Sequence, residues 1–172
     1  MKIAVCPGSF DPVTLGHIDI IRRSADIFDK VIVVVMGNIS KHPMFSQEER
    51  VELIRRATAD ISGVEVECYN GLLVEFAQSR NAAVIVKGLR AMSDFEYEFQ
   101  MALTNRRLNP DLETVFLNTT AEYMFLSSSL VKQVALLGGD FSGFVPQCIE
   151  GDIRDKIDFI TNNIEEKGMD VT

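Results

Sequence analysis

The sequence predicts an α/β protein, a Rossmann-like, doubly wound, five-stranded parallel sheet with additional C-terminal helices. Three observations predict it. Apolar β-branched runs recur, as in Val31-Ile32-Val33-Val34-Val35-Met36, which reads as a strand buried on both faces. Segments of helical periodicity separate these runs, so strand and helix alternate along the chain. Turns bearing Gly, Ser or basic residues follow the strands, at the edge where an open α/β sheet receives ligands.

Ile3-Ala4-Val5 is the first strand. The stretch Cys6-Pro7-Gly8-Ser9-Phe10-Asp11-Pro12-Val13-Thr14-Leu15-Gly16-His17 then crosses into a helix whose stripe is Ile18, Ile21, Ala25 and Phe28. Gly8 permits close backbone approach, Pro7 and Pro12 stiffen the turn, and Thr14 is placed to cap the helix. Gly16 and His17 fall in the first helical turn, whose free N–H groups and dipole favour an anion.

After the strand at 31–36, Ser46-Gln47-Glu48-Glu49 is a capping box opening a helix through Val51, Ile54 and Ala57. Val64-Glu65-Val66-Glu67 alternates and belongs nearer a sheet edge. Leu72, Leu73, Phe76 and Ala77 form a third helical stripe. Ala83-Val84-Ile85-Val86 and the shorter Thr114-Val115-Phe116-Leu117 read as buried strands. Between them Ser93-Asp94-Phe95-Glu96 is a second capping box, with Phe95, Phe99 and Leu103 expected to face inward as core or subunit contact. A last core helix runs from Ser128 through Leu130, Val131 and Val134 to a stop at Gly138-Gly139. From Pro146 onward one or two terminal helices are expected. No repeat or linker divides the chain, so residues 1–150 are read as one domain and 151–172 as a helical extension with a frayed, acid-rich end.

Composition bounds the function. A net charge of -8 argues against a polynucleotide partner but leaves room for a small anion met by local positive charge. No apolar run is long enough to span a membrane, and no signal-peptide core is seen at the start. Three cysteines without metal-ligand spacing suggest reduced thiols in a cytoplasm. Neither GxxxxGK[ST] nor GxGxxG occurs, so phosphate chemistry here must use other parts.

Three constellations qualify. In the first, a tight turn with an incidental surface His17 competes with a phosphate site in which His17 donates to an oxygen as charge develops. The second is Val86-Lys87-Gly88-Leu89-Arg90: a solvated basic pair, or cations placed at the ligand-binding end of a core strand. The third is Tyr123-Met124-Phe125-Leu126-Ser127-Ser128-Ser129-Leu130-Val131-Lys132. Only one of its serines can be the cap, so the remaining hydroxyl and N–H groups suit a polyphosphate, with Lys132 adding charge. Lys41, after the second strand, can reach the same crevice, and Glu98 is a solvated helix residue unless it meets a ribose hydroxyl.

Assembled, these residues resemble a family. Pro7-Gly8-Ser9-Phe10-Asp11-Pro12, Thr14-x-Gly-His17, Gly88-Leu89-Arg90-Ala91 with Asp94-Phe95-Glu96-Tyr97-Glu98, and Ser127-Ser128-Ser129-x-Val131-Lys132 look like the bacterial phosphopantetheine adenylyltransferases over nearly the whole chain. Thr-x-Gly-His alone marks the wider nucleotidyltransferase superfamily; the Gly-Leu-Arg-Ala block is narrower.

The resemblance implies the penultimate step of coenzyme A synthesis, in which ATP and 4'-phosphopantetheine give dephospho-coenzyme A and pyrophosphate, with Mg2+, in a cytoplasmic homohexamer. It places ATP against Ser9, Phe10, His17, Gly88, Leu89, Arg90, Glu98, Tyr123, Met124, Phe125, Leu126, Ser127, Ser128 and Ser129. It places phosphopantetheine against Ser9, Lys41, Leu73 and Lys87, with His17, Lys41, Lys87 and Arg90 as the catalytic set and no protein metal ligands. Lys87 departs from the family's usual arginine and lacks its bidentate fork. Rival readings are transfer to nicotinamide mononucleotide, cytidylyl transfer, and a catalytically silent nucleotide-binding module.

Overall fold

The computed structural model describes residues 1–37 and 43–169, with side chains omitted at position 93 and from 163 onward. Five strands, β1 (Ile3–Gly8), β2 (Lys30–Met36), β3 (Val64–Tyr69), β4 (Val84–Leu89) and β5 (Glu113–Asn118), form one sheet in the order β3-β2-β1-β4-β5. Every pairing is parallel, with Val5 opposite Ile32 on one side and Ile85 on the other. The alternation of side chains along a strand divides the core in two. Ala4, Cys6, Val31, Val33 and Val35 pack on one face with α1 (Leu15–Ile27), α2 (Gln47–Ala57), α5 (Ser128–Leu136) and α6 (Glu150–Met169). Val5, Ile32, Val34 and Ile85 pack on the other against Val74, Phe76 and Ala77 of α3 (Leu73–Ser79). On that side α4 (Met92–Leu108) lies along β4 and β5.

The chain leaves β1 toward β2 and β3 but leaves β4 toward β5. A switch point therefore opens above the carboxyl ends of β1 and β4, where such sheets bind ligands. The doubly wound sheet is as expected, and β3 is an edge strand as its alternation indicates. β5 corrects the expectation of a strand buried on both faces: it is the opposite edge, with Glu113, Val115 and Asn118 exposed. Four apolar-looking residues carry too little information to separate an edge from a centre.

α2 opens on the predicted capping box, Glu49 N–H donating to Ser46 Oγ at 3.1 Å and Ser46 N–H to Glu49 Oε2 at 2.6 Å. The box expected at Ser93 is not the start of α4, which begins at Met92 after Ala91 without a side-chain cap bond. Asp94 is engaged elsewhere, by Arg90. The inward stripe of α4 is also corrected. Phe99 and Leu103 are 44% and 55% exposed, while Glu98, Ala102 and Asn105 face the sheet. Because apolar residues lie on both sides of this helix, periodicity alone does not choose the buried one.

α5 ends in Gly138 at φ +74, the left-handed conformation that glycine tolerates. The chain then returns through Phe141, Val145 and Ile149 to α6, whose Ile153 and Ile157 join the same core as α1 and α2.

Candidate active site at the sheet switch point

The turn after β1 is built by close packing. Phe10 sits at φ 47 with its ring over Gly8, where a Cβ would lie 2.8 Å from Phe10 Cζ. The same ring meets His17 edge-on at 5.0 Å between centroids. Thr14 is the N-cap of α1, and His17 is the third helical residue, so the histidine occupies the capping-box position usually held by Glu or Gln. Thr14 N–H donates to His17 Nδ1 at 3.0 Å. A backbone amide can only donate, so Nδ1 bears the lone pair and the proton of the neutral ring resides on Nε2. Burial, then the charges of Arg90 and Lys87, lower the His17 pKa to about 4. The ring is therefore neutral near pH 7 and offers one N–H donor to the cavity it lines.

The anion site expected in the first turn of α1 is narrower than the sequence suggests. Leu15 N–H donates to the Phe144 carbonyl at 3.0 Å and His17 N–H reaches Thr14 Oγ1 at 3.4 Å. Among the described residues only the Gly16 amide of that turn is left open, beside Tyr123, whose Cβ lies 3.4 Å from where a Gly16 Cβ would stand.

At the end of β4, Lys87 Nζ lies 3.0 Å from Glu98 Oε1, so a site cation and a site carboxylate neutralise one another while no anion competes. The room at Gly88 is taken by α1, since a Cβ there would be 3.0 Å from Ile20 Cγ1. Glycine here lets helix and strand close up rather than admitting a ligand. Arg90 joins three segments. Its Nε and Nη2 donate to the two Asp94 oxygens at 3.0 and 3.2 Å, and its Nη1 donates to the Leu126 carbonyl at 2.6 Å. Among the described residues two of its five N–H groups have no partner.

The serines divide their tasks as their number implied. Ser127 caps α5, accepting from Leu130 N–H at 3.1 Å, and Ser128 Oγ donates to the Pro12 carbonyl at 2.7 Å. Ser129 is exposed at the cavity, and the amides of Ser128 and Ser129 begin the helix without intrahelical partners. Lys132 does not add charge to the cavity; its ammonium lies 2.8 Å from buried Asp11.

The cavity has a volume of about 900 Å³, in the range of small-ligand and cofactor sites. Ser9, Phe10, His17, Leu73, Lys87, Gly88, Arg90, Glu98, Tyr123, Leu126, Ser127, Ser128 and Ser129 line it. Leu89, Met124 and Phe125 do not; Met124 and Phe125 are exposed, and Phe125 packs edge-on against Phe144 at 5.6 Å. Lys41 lies outside the described residues. Sequence reasoning missed the far wall, formed by Val74 of α3 and by Met101, Asn105 and Leu108 of α4. The spacing Asp94, Glu98, Met101, Asn105, Leu108 is a helical stripe, and a polar residue buried within it was the available signal.

A cytidylyltransferase-like family model matches residues 5–134, which places the chain among the nucleotidyltransferases. Within that class the chain belongs to the phosphopantetheine adenylyltransferase family. It is 56% identical to the phosphopantetheine adenylyltransferase of Caldanaerobacter subterraneus subsp. tengcongensis, across 91% of this chain and 98% of that one. Identity is 52% to the Desulfosudis oleivorans enzyme of the same name (95% and 97% covered) and 57% to that of a Clostridium botulinum strain (91% and 100%). Among solved structures, a putative nicotinate-nucleotide adenylyltransferase from Vibrio parahaemolyticus superposes with a TM-score of 0.65 at 19% identity, covering 91% and 95% of the chains. At that identity the likeness concerns the fold.

Proposed function

We propose that this enzyme transfers the adenylyl group of ATP to 4'-phosphopantetheine, giving dephospho-coenzyme A and pyrophosphate, the penultimate step of coenzyme A synthesis. One observation carries the reading: a neutral His17, locked as an Nε2–H donor, stands at the switch point beside Lys87 and Arg90. The names of the relatives support the choice of substrates.

The acceptor phosphate is already an anionic nucleophile, so no side-chain nucleophile or general base is needed. The protein aligns its oxygen with the α-phosphorus and stabilises the spreading charge. Lys41 and Lys87 hold the incoming phosphate, with Glu98 releasing Lys87 as the anion arrives and then meeting the ribose. His17 Nε2–H donates to the α-phosphate oxygen. The open N–H groups of Arg90 and the Ser128 and Ser129 amides hold the departing pyrophosphate. Ser9 and Phe10 border both substrates. The groove between Leu73, Val74, Met101 and Leu108, with the amide of Asn105, suits an extended, amide-bearing arm.

Among the described residues no three His, Cys, Asp or Glu side chains cluster as a metal cage. In our reading Mg2+ arrives with the ATP phosphates, its usual ligands. Our reading includes a homohexamer, supported by the outward apolar residues Phe99 and Leu103 of α4, which a second copy would cover. It also includes a cytoplasmic setting, supported by the free state of Cys6, Cys68 and Cys148. No helix among the described residues is long and apolar enough to cross a membrane. Pyrophosphate release, measured with ATP or CTP and with 4'-phosphopantetheine or nicotinamide mononucleotide, tests the assignment. Turnover is expected with ATP and 4'-phosphopantetheine; preference for another pair would overturn it.

A further inference from the structure

The one cation of α5 is directed away from the cavity. The Lys132 ammonium lies 2.8 Å from Oδ2 of Asp11, a residue only 5% exposed. Asp11 already accepts from the Met44 and Phe45 N–H groups at 3.0 and 2.9 Å, so its oxygens have partners without the lysine. What Lys132 adds is charge: among the described residues it is the only ion-pair partner of this buried carboxylate. One helical turn earlier, Ser128 Oγ donates to the Pro12 carbonyl at 2.7 Å. Ser128 and Lys132 stand on one face of α5 and grip two consecutive residues of the turn after β1.

Two directional contacts one turn apart fix what apolar packing leaves loose. Val131 and Ala135 bury α5 in the core, but such burial is non-directional and tolerates a small slide or roll of the helix. The paired polar contacts set both the height of α5 and its rotation against the turn. Each end of the link leads into the site. Pro12 lies two residues before Thr14, whose amide holds Nδ1 of His17. Ser128 and Ser129 begin α5 at the cavity wall.

We propose that Lys132, through Asp11, is a positioning residue for the nucleotide side of the reaction: the two-point clamp of α5 on the β1–α1 turn sets the Ser128 and Ser129 amides relative to His17. The inference rests on the reading of ATP given above. A lysine that bound phosphate directly makes the opposite prediction for Asp11. Freed from its carboxylate, such a lysine would hold the nucleotide more tightly, whereas a lysine acting through the clamp loses its anchor.

Calorimetric binding of ATP, steady-state kinetics and thermal unfolding of each variant test the inference. Lys132→Met is expected to raise the ATP Kd and KM by about tenfold, with the acceptor KM changed less than about threefold. Lys132→Arg, which keeps the ion pair, is expected to restore ATP affinity to within about threefold. Asp11→Asn is expected to weaken ATP by a factor similar to Lys132→Met. Combining the two should raise the ATP Kd less than about twofold further, because they remove one contact. Folded Lys132→Met with an unchanged ATP Kd, or with the acceptor KM raised equally, would overturn the proposal. Tighter ATP binding in Asp11→Asn would also overturn it. If Lys132→Met does not fold, Lys132→Gln, which keeps an NH2 donor without charge, takes its place: a rise of roughly three- to fivefold in ATP Kd supports the clamp and no rise overturns it. A wild-type enzyme that binds ATP but adenylylates another acceptor fails the functional reading alone, since the ATP Kd still reports on the clamp. One that transfers to 4'-phosphopantetheine while the variants are unmoved fails the inference alone, and one that binds no ATP fails both.

Discussion

The amide of Thr14 donates to Nδ1 of His17 at 3.0 Å, and this bond decides what the histidine can do. It converts a helix-capping device into a tautomer lock, leaving Nε2–H as the donor into the cavity.

His17 is expected to stay neutral in solution. Nitrogen-15 NMR of the imidazole should show the Nε2–H tautomer from pH 7 down to about pH 5, consistent with a pKa lowered to about 4 by burial and by Arg90 and Lys87. The sign for stability follows. The unfolded ring binds its proton near pH 6.5 and the native ring only near 4, so this residue lowers stability as pH falls through that window. His17→Gln should lose less stability than the wild type over that range. A ring that titrates near its ordinary value would contradict the lock.

Removal of the donor should act on turnover. His17→Ala is expected to lower kcat by about a hundredfold or more with modest change in ATP affinity. Unchanged kcat would remove His17 from the mechanism.

Lys87 presents a single ammonium to Glu98, and in the proposed reaction that ammonium meets the incoming phosphate. Lys87→Arg should keep activity or lower the phosphopantetheine KM, because the fork can hold a phosphate with two bonds. A large loss of activity in steady-state assays would contradict this assignment.

Cys6 should be chemically silent. Burial pushes its thiol up to about 12, whereas Cys68 and Cys148 are exposed. Titration of the native protein with a thiol reagent should modify those two, with Cys6 reacting only on unfolding. Rapid labelling of Cys6 would show that the turn after β1 opens readily.

Ile153 tests whether α6 is part of the core. It is fully buried at 0% exposure among residues of α1, α2 and β2. Ile153→Ala is expected to cost roughly 2–5 kcal/mol in urea unfolding. A change near zero would mean that the helix docks weakly.

Much of the fold was legible because long β-branched runs and capping boxes are strong local signals: β2, β3 and the start of α2 stand where the sequence put them. β5 and the face of α4 were not, since an edge strand of six residues and a helix apolar on both sides take their burial from neighbours. At the site, the turn after β1 and the end of β4 were read from Gly, His and basic residues alone. The engagement of Lys132 by Asp11 and of Lys87 by Glu98 was invisible, because contacts between different elements leave no spacing in the chain. Asn105 escaped notice because one polar residue in a helix usually faces solvent.

In the proposed reaction the phosphate of 4'-phosphopantetheine displaces pyrophosphate directly at the α-phosphorus. The most direct test uses ATP carrying a chiral phosphorothioate at the α-position, with the configuration read in the product. Direct displacement gives thio-substituted dephospho-coenzyme A with inverted configuration. Retention would show a covalent adenylyl-enzyme and would contradict it.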